Sequence, residues 1–232
     1  MLCFLPHDHR GNLLTMNTYA LDYESYYDKD CSIRKLGPLG YFSHFDFDAY
    51  LMSVVGDDGL SWVGNPRDFD WEVLKGNAVL SHNASFDETL YLFGVDRGWW
   101  PLVDYAEWHC TADLVAYCGL PRSLKGATSE LFGLKVDKST RDNMSGKKWE
   151  SMEEDFQKEV CEYAIKDSEL CLKLWQSLEE QWPEREKKIS SVGRRIVQRG
   201  VPIDVHLLKK QKEEVSQLLF ESENKIPWIG QA

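Results

Sequence analysis

The chain has 232 residues, of which 43% are hydrophobic and 28% are charged, a balance typical of a globular protein with a buried core. No apolar run approaches the length of a membrane-spanning helix, and the short apolar start of the chain excludes an ordinary signal peptide. The net charge of −11 argues against a protein that grips nucleic acid along a long basic groove. It does not exclude one that holds a strand end through metal ions, because clustered carboxylates that bind cations also make a chain acidic.

Strands and helices alternate up to Pro183. Apolar runs and turn residues predict strands at 17–24, 77–83 and 107–110, and a β-hairpin at 48–65 around the turn Gly56-Asp57-Asp58-Gly59. Helical spacing predicts helices at 85–94, 111–119, 123–133 and 151–182. The pattern therefore predicts an α/β domain with a mixed sheet flanked by helices.

Three finer features follow from local residue types. Thr111 is a candidate N-cap, and Ser151 with Glu154 has the spacing of a capping box. The polar segment 135–148 is predicted to be a mobile loop. Six cysteines lie scattered without a Cys-x-x-Cys pair, which favours buried free thiols in a reducing cytosol over a zinc site.

After Pro183 the chain becomes charged and helical with thin apolar content. We expect residues 183–232 to be a helical extension, or the opening of a larger domain. Its basic residues are predicted to lie on a solvated helix face, with contact to a DNA backbone as the alternative; they are Lys187, Lys188, Arg194, Arg195 and Arg199.

Two carboxylates interrupt the first predicted strand. Side chains alternate faces along a strand, so Asp22 and Glu24 would point the same way, one pleat apart. Two like charges this close repel each other unless a cation lies between them.

Further carboxylates lie at unusual positions in two predicted helices. Asp167 lies on the apolar stripe of the long helix, with Tyr163 one turn before it on the same face. Asp87 lies in the first turn of a helix that follows a buried strand, and Asn83 ends that strand. Each has a plain structural alternative: Asp167 could bond a backbone amide, Asp87 could complement the helix dipole, and Asn83 could cap the helix.

Taken together, the four carboxylates fit a site for hard divalent cations at the strand ends of an α/β sheet. Mg²⁺ takes oxygen ligands and keeps waters that a substrate can replace. Two such ions, about 3.5–4 Å apart, can stabilise both the attacking and the leaving oxygen of a phosphodiester.

These residues also carry a resemblance to a known family. "LDYES" resembles the Asp-x-Glu motif of the DEDD 3′–5′ exonucleases, "HNASFD" resembles the second motif, and "YAIKD" resembles the Tyr-x₃-Asp motif of the tyrosine (DEDDy) subclass. The motifs stand in the family's order, and the resemblance covers roughly residues 17 to 182. It is strongest to the proofreading domain of phage-type family A DNA polymerases. "RRIVQRGVPIDVHLL" is similar to the segment where the polymerase body of that family begins.

The resemblance implies a ribonuclease H-like fold and a role for each motif residue. Asp22, Glu24 and Asp167 would hold the metal that activates the attacking water. Asp22 would bridge to a second metal, which Asp87 supports through its water shell. The ions would be Mg²⁺, with Mn²⁺ able to substitute. Tyr163 would orient the water or the scissile phosphate, and Asn83 and the backbone of Tyr23 would place the terminal nucleotide.

The resemblance also implies the reaction, the partners and the domain organisation. The chain would hydrolyse the 3′-terminal phosphodiester of DNA, at a single-stranded 3′ end or a frayed primer terminus, and release nucleoside 5′-monophosphates. Residues 1–15 would be a loose tail, 16–182 the exonuclease domain and 183–232 the start of a polymerase body. The protein would be cytoplasmic, in the bacterial host cytosol if it is phage-encoded.

Alternatives remain at this point. An RNA 3′–5′ exonuclease similar to ribonuclease D uses the same metal chemistry, because selection of the 2′-hydroxyl depends on pocket shape. A catalytically silent domain that only binds strand ends is a second alternative, disfavoured by the intact motifs. A carboxylate-pair glycosidase is excluded because Asp22 and Glu24, two apart on one strand, cannot flank a sugar from opposite sides. An EF-hand is excluded because the turn glycine is missing from "DYESYYDKD".

Overall fold

The centre of the protein is a five-stranded mixed β-sheet. The structure is a computed structural model that describes residues 16–134 and 139–226, without the side chains of Ser139 and Asp142. The strands in chain order are β1 Thr18–Ser25, β2 Ala49–Gly56, β3 Ser61–Gly64, β4 Ala78–Ser81 and β5 Glu107–Cys110. Their spatial order is β3-β2-β1-β4-β5, with β1 antiparallel to β2 and parallel to β4. The predicted strands and the mixed sheet are confirmed.

Helices flank this sheet and then continue beyond it. They are α1 Ile33–Phe42, α2 Ala84–Asp96, α3 Thr111–Tyr117, α4 Leu124–Phe132, α5 Ser139–Met144, α6 Glu154–Leu178, α7 Glu184–Arg199 and α8 Val205–Glu223. Short 3₁₀ helices precede β4 and follow α6. The result is an α/β fold of the ribonuclease H-like type, as the sequence predicted.

The strand at the centre of the sheet is buried on both faces up to its carboxylates. Tyr19, Leu21 and Tyr23 join a large aromatic-rich cluster. Ala20 belongs to a second cluster that includes Leu80. A strand covered on both faces reads as a nearly continuous apolar run, which is what the first part of β1 shows. The polar residues that follow therefore mark the point where the strand leaves the core.

The β2–β3 hairpin forms around the predicted turn. Its two strands pair from Met52↔Gly64 to Val55↔Ser61. Gly59 has φ +94°, a backbone conformation that favours glycine, and Asp58 accepts a hydrogen bond from the Leu60 amide at 3.0 Å. The turn residues therefore fix the register of the hairpin as well as its position.

Three local predictions are wrong. Thr111 is the first helical residue of α3, with Cys110 as N-cap, and its hydroxyl approaches His82 Nδ1 at 3.0 Å. The capping box does not form, because α6 begins after Glu153 and the Ser151 hydroxyl donates to the Lys148 carbonyl. The segment expected to be a loop contains α5; its residues 135–138 lie outside the described ranges.

The described residues fall into two compact units, one that ends at Gln198 and one that begins at Arg199. By its contacts most of α7 belongs to the first unit, because Arg194 forms an ion pair with Glu88 on α2. The predicted boundary near residue 183 and the polymerase-like nature of the extension stay predictions, and the expected tail 1–15 lies outside the described residues. In the part of the chain that the structure describes, no helix combines the length and the apolar character needed to cross a membrane.

Candidate active site

One cleft of about 780 Å³ opens beside the carboxyl-terminal half of β1. All seven residues that the sequence singled out line it: Asp22, Tyr23, Glu24, Asn83, Asp87, Tyr163 and Asp167. They come from β1, from the start of α2 and from the middle of α6. The fold therefore brings together residues that are up to 145 positions apart in the sequence.

On β1, the strand pleat separates the acidic from the aromatic side chains. Asp22 and Glu24 are half-buried, whereas Tyr23 between them is buried and its ring stacks on Trp100 with centroids 5.7 Å apart. Asp22 lies directly opposite Ser53 in the pairing of β1 with β2. The two carboxylates thus share one face of the sheet, as the alternation predicted.

The start of α2 contributes an amide and a carboxylate. Asn83 adopts the left-handed conformation (φ 81°, ψ 51°), and its side chain makes no capping hydrogen bond. The expected alternative, a plain helix cap, therefore does not account for it. Asp87 is 2% exposed, and its Oδ1 accepts a long hydrogen bond of 3.4 Å from the Tyr23 amide. This bond links the first turn of α2 to the strand between Asp22 and Glu24.

Helix α6 places Tyr163 and Asp167 one turn apart on the cleft side. A buried bond fixes this part of the helix against the sheet, because Ser53 Oγ on β2 donates to the Ala164 carbonyl at 2.8 Å and lies 2.7 Å from Ser168 Oγ. The position of Asp167 is thus set by a strand residue that pairs with Asp22.

The carboxylates perturb one another. Burial, and then the charge of Asp167, raise the pKa of Asp22 to about 8. Burial followed by neighbouring carboxylates also raises the pKa of Glu24 and of Asp87 well above the usual range of acidic side chains. Burial, and then Asp167, raise the pKa of the Tyr163 phenol above its ordinary value near 10. A cluster of acids held together at this cost is typical of a functional site that receives cations.

The donor set fits a hard divalent cation, since it consists of carboxylate oxygens without thiolate or imidazole ligands. Within the described ranges, no three His, Cys, Asp or Glu side chains stand close enough together to form a ready-made metal cage. An ion held among these carboxylates would complete its coordination with water and substrate oxygens, which is how Mg²⁺ is usually bound.

Basic residues form part of the cleft wall, and the sequence reasoning missed all of them. They are Arg34, Arg122, Lys125 and Arg141. None of them belongs to a run of more than two basic residues, whereas the longer basic run of the sequence lies on α7. One member of that run, Arg194, is buried. The prediction that it lies on a solvated helix face is therefore wrong. The cleft therefore combines an acidic floor with basic walls, which suits a phosphodiester held through cations.

His82 also lines the cleft and was not singled out from the sequence. Burial lowers its pKa to about 4, so the ring is neutral near pH 7. Its Nε2 is 2.9 Å from the Arg122 carbonyl, which can only accept, so Nε2 carries the proton and Nδ1 accepts from the Thr111 hydroxyl. His82 therefore braces the segment that carries Arg122.

Two tyrosines, Tyr26 and Tyr27, directly follow β1. Tyr26 is buried, and its hydroxyl donates to Asp28 Oδ2 at 2.8 Å. Tyr27 lines the cleft, and its hydroxyl donates to the Arg141 carbonyl at 2.6 Å. Tyr26 is therefore a loop-packing residue, whereas Tyr27 contacts the opposite cleft wall.

The sheet order β3-β2-β1-β4-β5 and the flanking helices form a ribonuclease H-like fold. No protein-family model matches the sequence, and no curated protein matches it. Solved structures do match. RNase D from Escherichia coli, described as an exoribonuclease involved in structured RNA processing, matches with a TM-score of 0.52 and 19% identity over 80% of this chain and 46% of that one. The present chain thus spans less than half the length of that enzyme.

Two further structures share the fold. NrnC from Brucella melitensis with bound Mg²⁺ matches with a TM-score of 0.51 and 16% identity, over 79% of this chain and 82% of that one. A family B DNA polymerase from Pyrobaculum calidifontis matches with a TM-score of 0.50 and 14% identity, over 72% of this chain and 25% of that one. At these identities the likeness concerns the fold.

Proposed function

We propose that this chain is a divalent-metal-dependent 3′–5′ exonuclease that removes nucleotides from the end of a nucleic-acid strand. One observation carries the proposal: the residues of three separate sequence motifs line a single cleft in a fold shared with exonucleases. The perturbed carboxylates add support, because their mutual repulsion is relieved when cations bind between them.

In this proposal Asp22, Glu24, Asp87 and Asp167 hold two ions, Mg²⁺ or in its place Mn²⁺. When bound, such ions lower the pKa of water and stabilise charge on phosphoryl oxygens. The new bond joins the water oxygen to the phosphorus of the terminal nucleotide. The bond from that phosphorus to the 3′ oxygen of the penultimate nucleotide breaks. The water's proton passes to solvent, the 3′ oxygen gains a proton, and a nucleoside 5′-monophosphate is released.

The other predicted residues would position the strand end. Tyr163 keeps its proton at neutral pH because its pKa is raised, so it acts as a hydrogen-bond donor to the water or the scissile phosphate. Asn83 lies at the cleft with its amide free of helix capping, so it can hydrogen-bond the terminal nucleotide. The Tyr23 backbone, whose amide donates to Asp87, would lie beside that nucleotide.

Two substrates have specific support. RNA is favoured by the comparisons, because RNase D is described as an exoribonuclease and NrnC has been solved bound to pGG. DNA is favoured by the segment "RRIVQRGVPIDVHLL" (194–208), which resembles the start of a family A polymerase body, and by the shared fold of the family B polymerase. A proofreading role beside a polymerase domain applies only if DNA is the substrate.

The test uses 5′-labelled single-stranded DNA and RNA of one sequence, with Mg²⁺, with Mn²⁺ and with EDTA. The variant is Asp87→Asn, and the matched control is Asp96→Asn, which makes the same change at the exposed end of the same helix. We expect ladders that shorten from the 3′ end, lost with EDTA and in Asp87→Asn but not in Asp96→Asn. Faster loss of the RNA would assign the ribonuclease function, and faster loss of the DNA the proofreading type.

Absence of cleavage on both substrates would contradict the proposal. If the strands still bound under that condition, a silent domain that holds strand ends would be the better account. Loss of activity in Asp96→Asn as well would assign the effect to folding, and thermal unfolding of both variants distinguishes that case.

A further inference from the structure

Arg141 lines the cleft that contains the four carboxylates. It is on α5, in the segment that the sequence assigned to a loop, and it lines the same cleft as Asp22, Glu24 and Tyr163. No sequence motif includes it. Its position at the acidic floor raises the question of what a guanidinium does beside residues suited to cations.

Several contacts hold α5 in place. Tyr27 contacts α5 and the turn that follows it: its hydroxyl donates to the Arg141 carbonyl at 2.6 Å, and its carbonyl accepts from the Gly146 amide at 2.8 Å. Thr140 Oγ1 donates to Glu159 Oε1 on α6 at 2.6 Å, and Met144 is 1% exposed. Arg141 is therefore presented to the cleft by a segment anchored to β1's exit loop, to α6 and to the core.

The charges around Arg141 show what it faces. Its positive charge lowers the pKa of Asp22 and of Glu24, against the larger raising effects of burial and of neighbouring carboxylates. In return Tyr163, Glu24, Tyr27 and Asp22 raise the pKa of the guanidinium, against burial. By contrast Arg122, on another wall, is 2.6 Å from Asp113 and is held in that ion pair.

One guanidinium cannot neutralise four ionised carboxylates, so divalent cations can still bind at the floor. Once they bind, the carboxylates no longer need Arg141, and its strongest available partner is the phosphate that enters beside them. A planar guanidinium can give two parallel hydrogen bonds to phosphate oxygens, which an ammonium cannot.

We propose that Arg141 binds the phosphate of the strand end in this cleft, and that it serves as counter-ion to the ionised forms of Asp22 and Glu24 when the cleft is free of metal. The first part rests on the proposed exonuclease function. Tyr27 then acts as a positioning residue, because it holds the Arg141 backbone.

The proposal makes opposite predictions for metal affinity and for activity. In Arg141→Ala a cation that competes with the metal is removed, so Mn²⁺ titrated calorimetrically in the absence of nucleic acid binds as tightly as in the unmodified protein or up to about tenfold more tightly. The same variant loses about 10²-fold in kcat, the usual effect of removing one donor to developing charge. A residue with a merely structural role would lower both.

Two variants separate charge from geometry. Arg141→Lys keeps the charge and loses the planar fork, so we expect unchanged Mn²⁺ affinity and a loss of about tenfold in kcat. Tyr27→Phe lowers kcat several-fold, and combining it with Arg141→Ala adds nothing further. The control is Lys147→Ala, which removes a cation that lies over the Phe156 ring, close to α5 but outside the cleft lining. We expect it to change neither quantity.

A binding measurement separates this proposal from the proposed function. Thymidine 5′-monophosphate is titrated into the Mn²⁺-loaded protein, and we expect Arg141→Ala to weaken its binding at least tenfold. If the unmodified protein does not cleave but this result is found, the role of Arg141 stands and the exonuclease function fails. If the unmodified protein cleaves and Arg141→Ala changes neither kcat nor nucleotide binding, the phosphate-binding role of Arg141 is overturned and the exonuclease function stands. If the unmodified protein neither cleaves nor binds the nucleotide, the exonuclease function and the phosphate-binding role of Arg141 are both overturned. Weaker Mn²⁺ binding in Arg141→Ala overturns the counter-ion role.

Discussion

Ser53 and Ser168 share a hydrogen bond of 2.7 Å between β2 and α6, and both side chains are fully buried. Ser53 pairs with Asp22 across the sheet, and Ser168 directly follows Asp167 in the chain. Because directly opposite residues of neighbouring strands share a face, this contact lies under the point where the acidic strand meets the acidic helix. It fixes the rotation and the height of α6 relative to β1.

Ser53→Ala is expected to lower the free energy of unfolding by about 1–3 kcal/mol, because Ser168 Oγ loses a buried partner. Urea unfolding measures this loss, and kcat should fall as α6 shifts. Ser177→Ala is the control, since Ser177 lies on the exposed face of the same helix and donates to Lys173. Ser53→Ala/Ser168→Ala should cost less than the sum of the single changes. If Ser53→Ala lowers the free energy of unfolding no more than Ser177→Ala does, the hydrogen bond between Ser53 and Ser168 contributes nothing to stability.

The raised pKa values predict that stability falls as pH rises when metal is removed. The unfolded chain releases these acidic protons near pH 4, while folded Asp22 retains its proton to about pH 8. The free energy of unfolding in EDTA should therefore decrease between about pH 4 and pH 8. Asp22→Asn should weaken this slope and be more stable than the unmodified protein at pH 8, although it would be inactive.

Thermal unfolding in EDTA across this pH range measures the slope, with Asp96→Asn as the control whose slope stays unchanged. Mg²⁺ at pH 8 should raise the unfolding temperature of the unmodified protein more than that of Asp22→Asn. The interpretation fails if Asp22→Asn is the less stable protein at pH 8, because repulsion within the acidic cluster would then be absent.

Substitutions at Asn83 should affect the free energy of unfolding and the cleavage rate differently. Glycine adopts the left-handed conformation of this residue without cost, so Asn83→Gly should unfold at the same free energy or up to about 1 kcal/mol higher. Asn83→Ala should be less stable by about 1 kcal/mol for the opposite reason. Both variants should cleave more slowly, since both lack the amide. Full activity in Asn83→Gly would mean that only the backbone geometry matters.

The contact of α7 with α2 predicts a large stability effect. Arg194 is 5% exposed, and its Nε is 2.8 Å from Glu88 Oε2, with further bonds to the Ser190 hydroxyl and the Trp108 carbonyl. Arg194→Met leaves a buried carboxylate without its cation, so we expect a loss of about 3–5 kcal/mol in the free energy of unfolding.

Arg195→Met is the matched control, because Arg195 is the exposed neighbour on the same helix. Arg194→Met/Glu88→Met should recover much of the loss, since the uncompensated charge is removed. Denaturant unfolding of the three variants measures both effects. If Arg194→Met and Arg195→Met unfold at the same free energy, the ion pair between Arg194 and Glu88 does not hold α7 against α2.

The strands and the acidic residues could be predicted because their signals are local. The pleat of β1 places Asp22 and Glu24 on one face, and the i, i+4 spacing places Tyr163 above Asp167. The basic walls could not be predicted in this way. Arg34 and Arg141 join Arg122 and Lys125 at one cleft only through the tertiary fold, and no motif or long basic run marks them.

Helix signals were less reliable where tertiary contacts override local preference. Helix α1 was not predicted, since Pro38 and Gly37 are ordinary breakers and the helix continues through a kink at Gly37. Ser151 has the right spacing for a capping box, but its hydroxyl bonds the Lys148 carbonyl instead. In α5, burial of Met144 and the bond from Thr140 to Glu159 stabilise a helix in a sequence that reads as loop.

The stacking of Tyr23 has a spectroscopic consequence. Its ring stacks on Trp100, and Trp100 stacks on Trp71 with centroids 5.5 Å apart, so indole rings lie directly behind the strand that carries Asp22 and Glu24. Cations that bind on one face of β1 change the electric field felt on the other. We expect intrinsic tryptophan emission to shift on addition of Mg²⁺ and to be restored by EDTA. The strand thus supplies an optical probe of cation binding that needs neither a label nor a substrate.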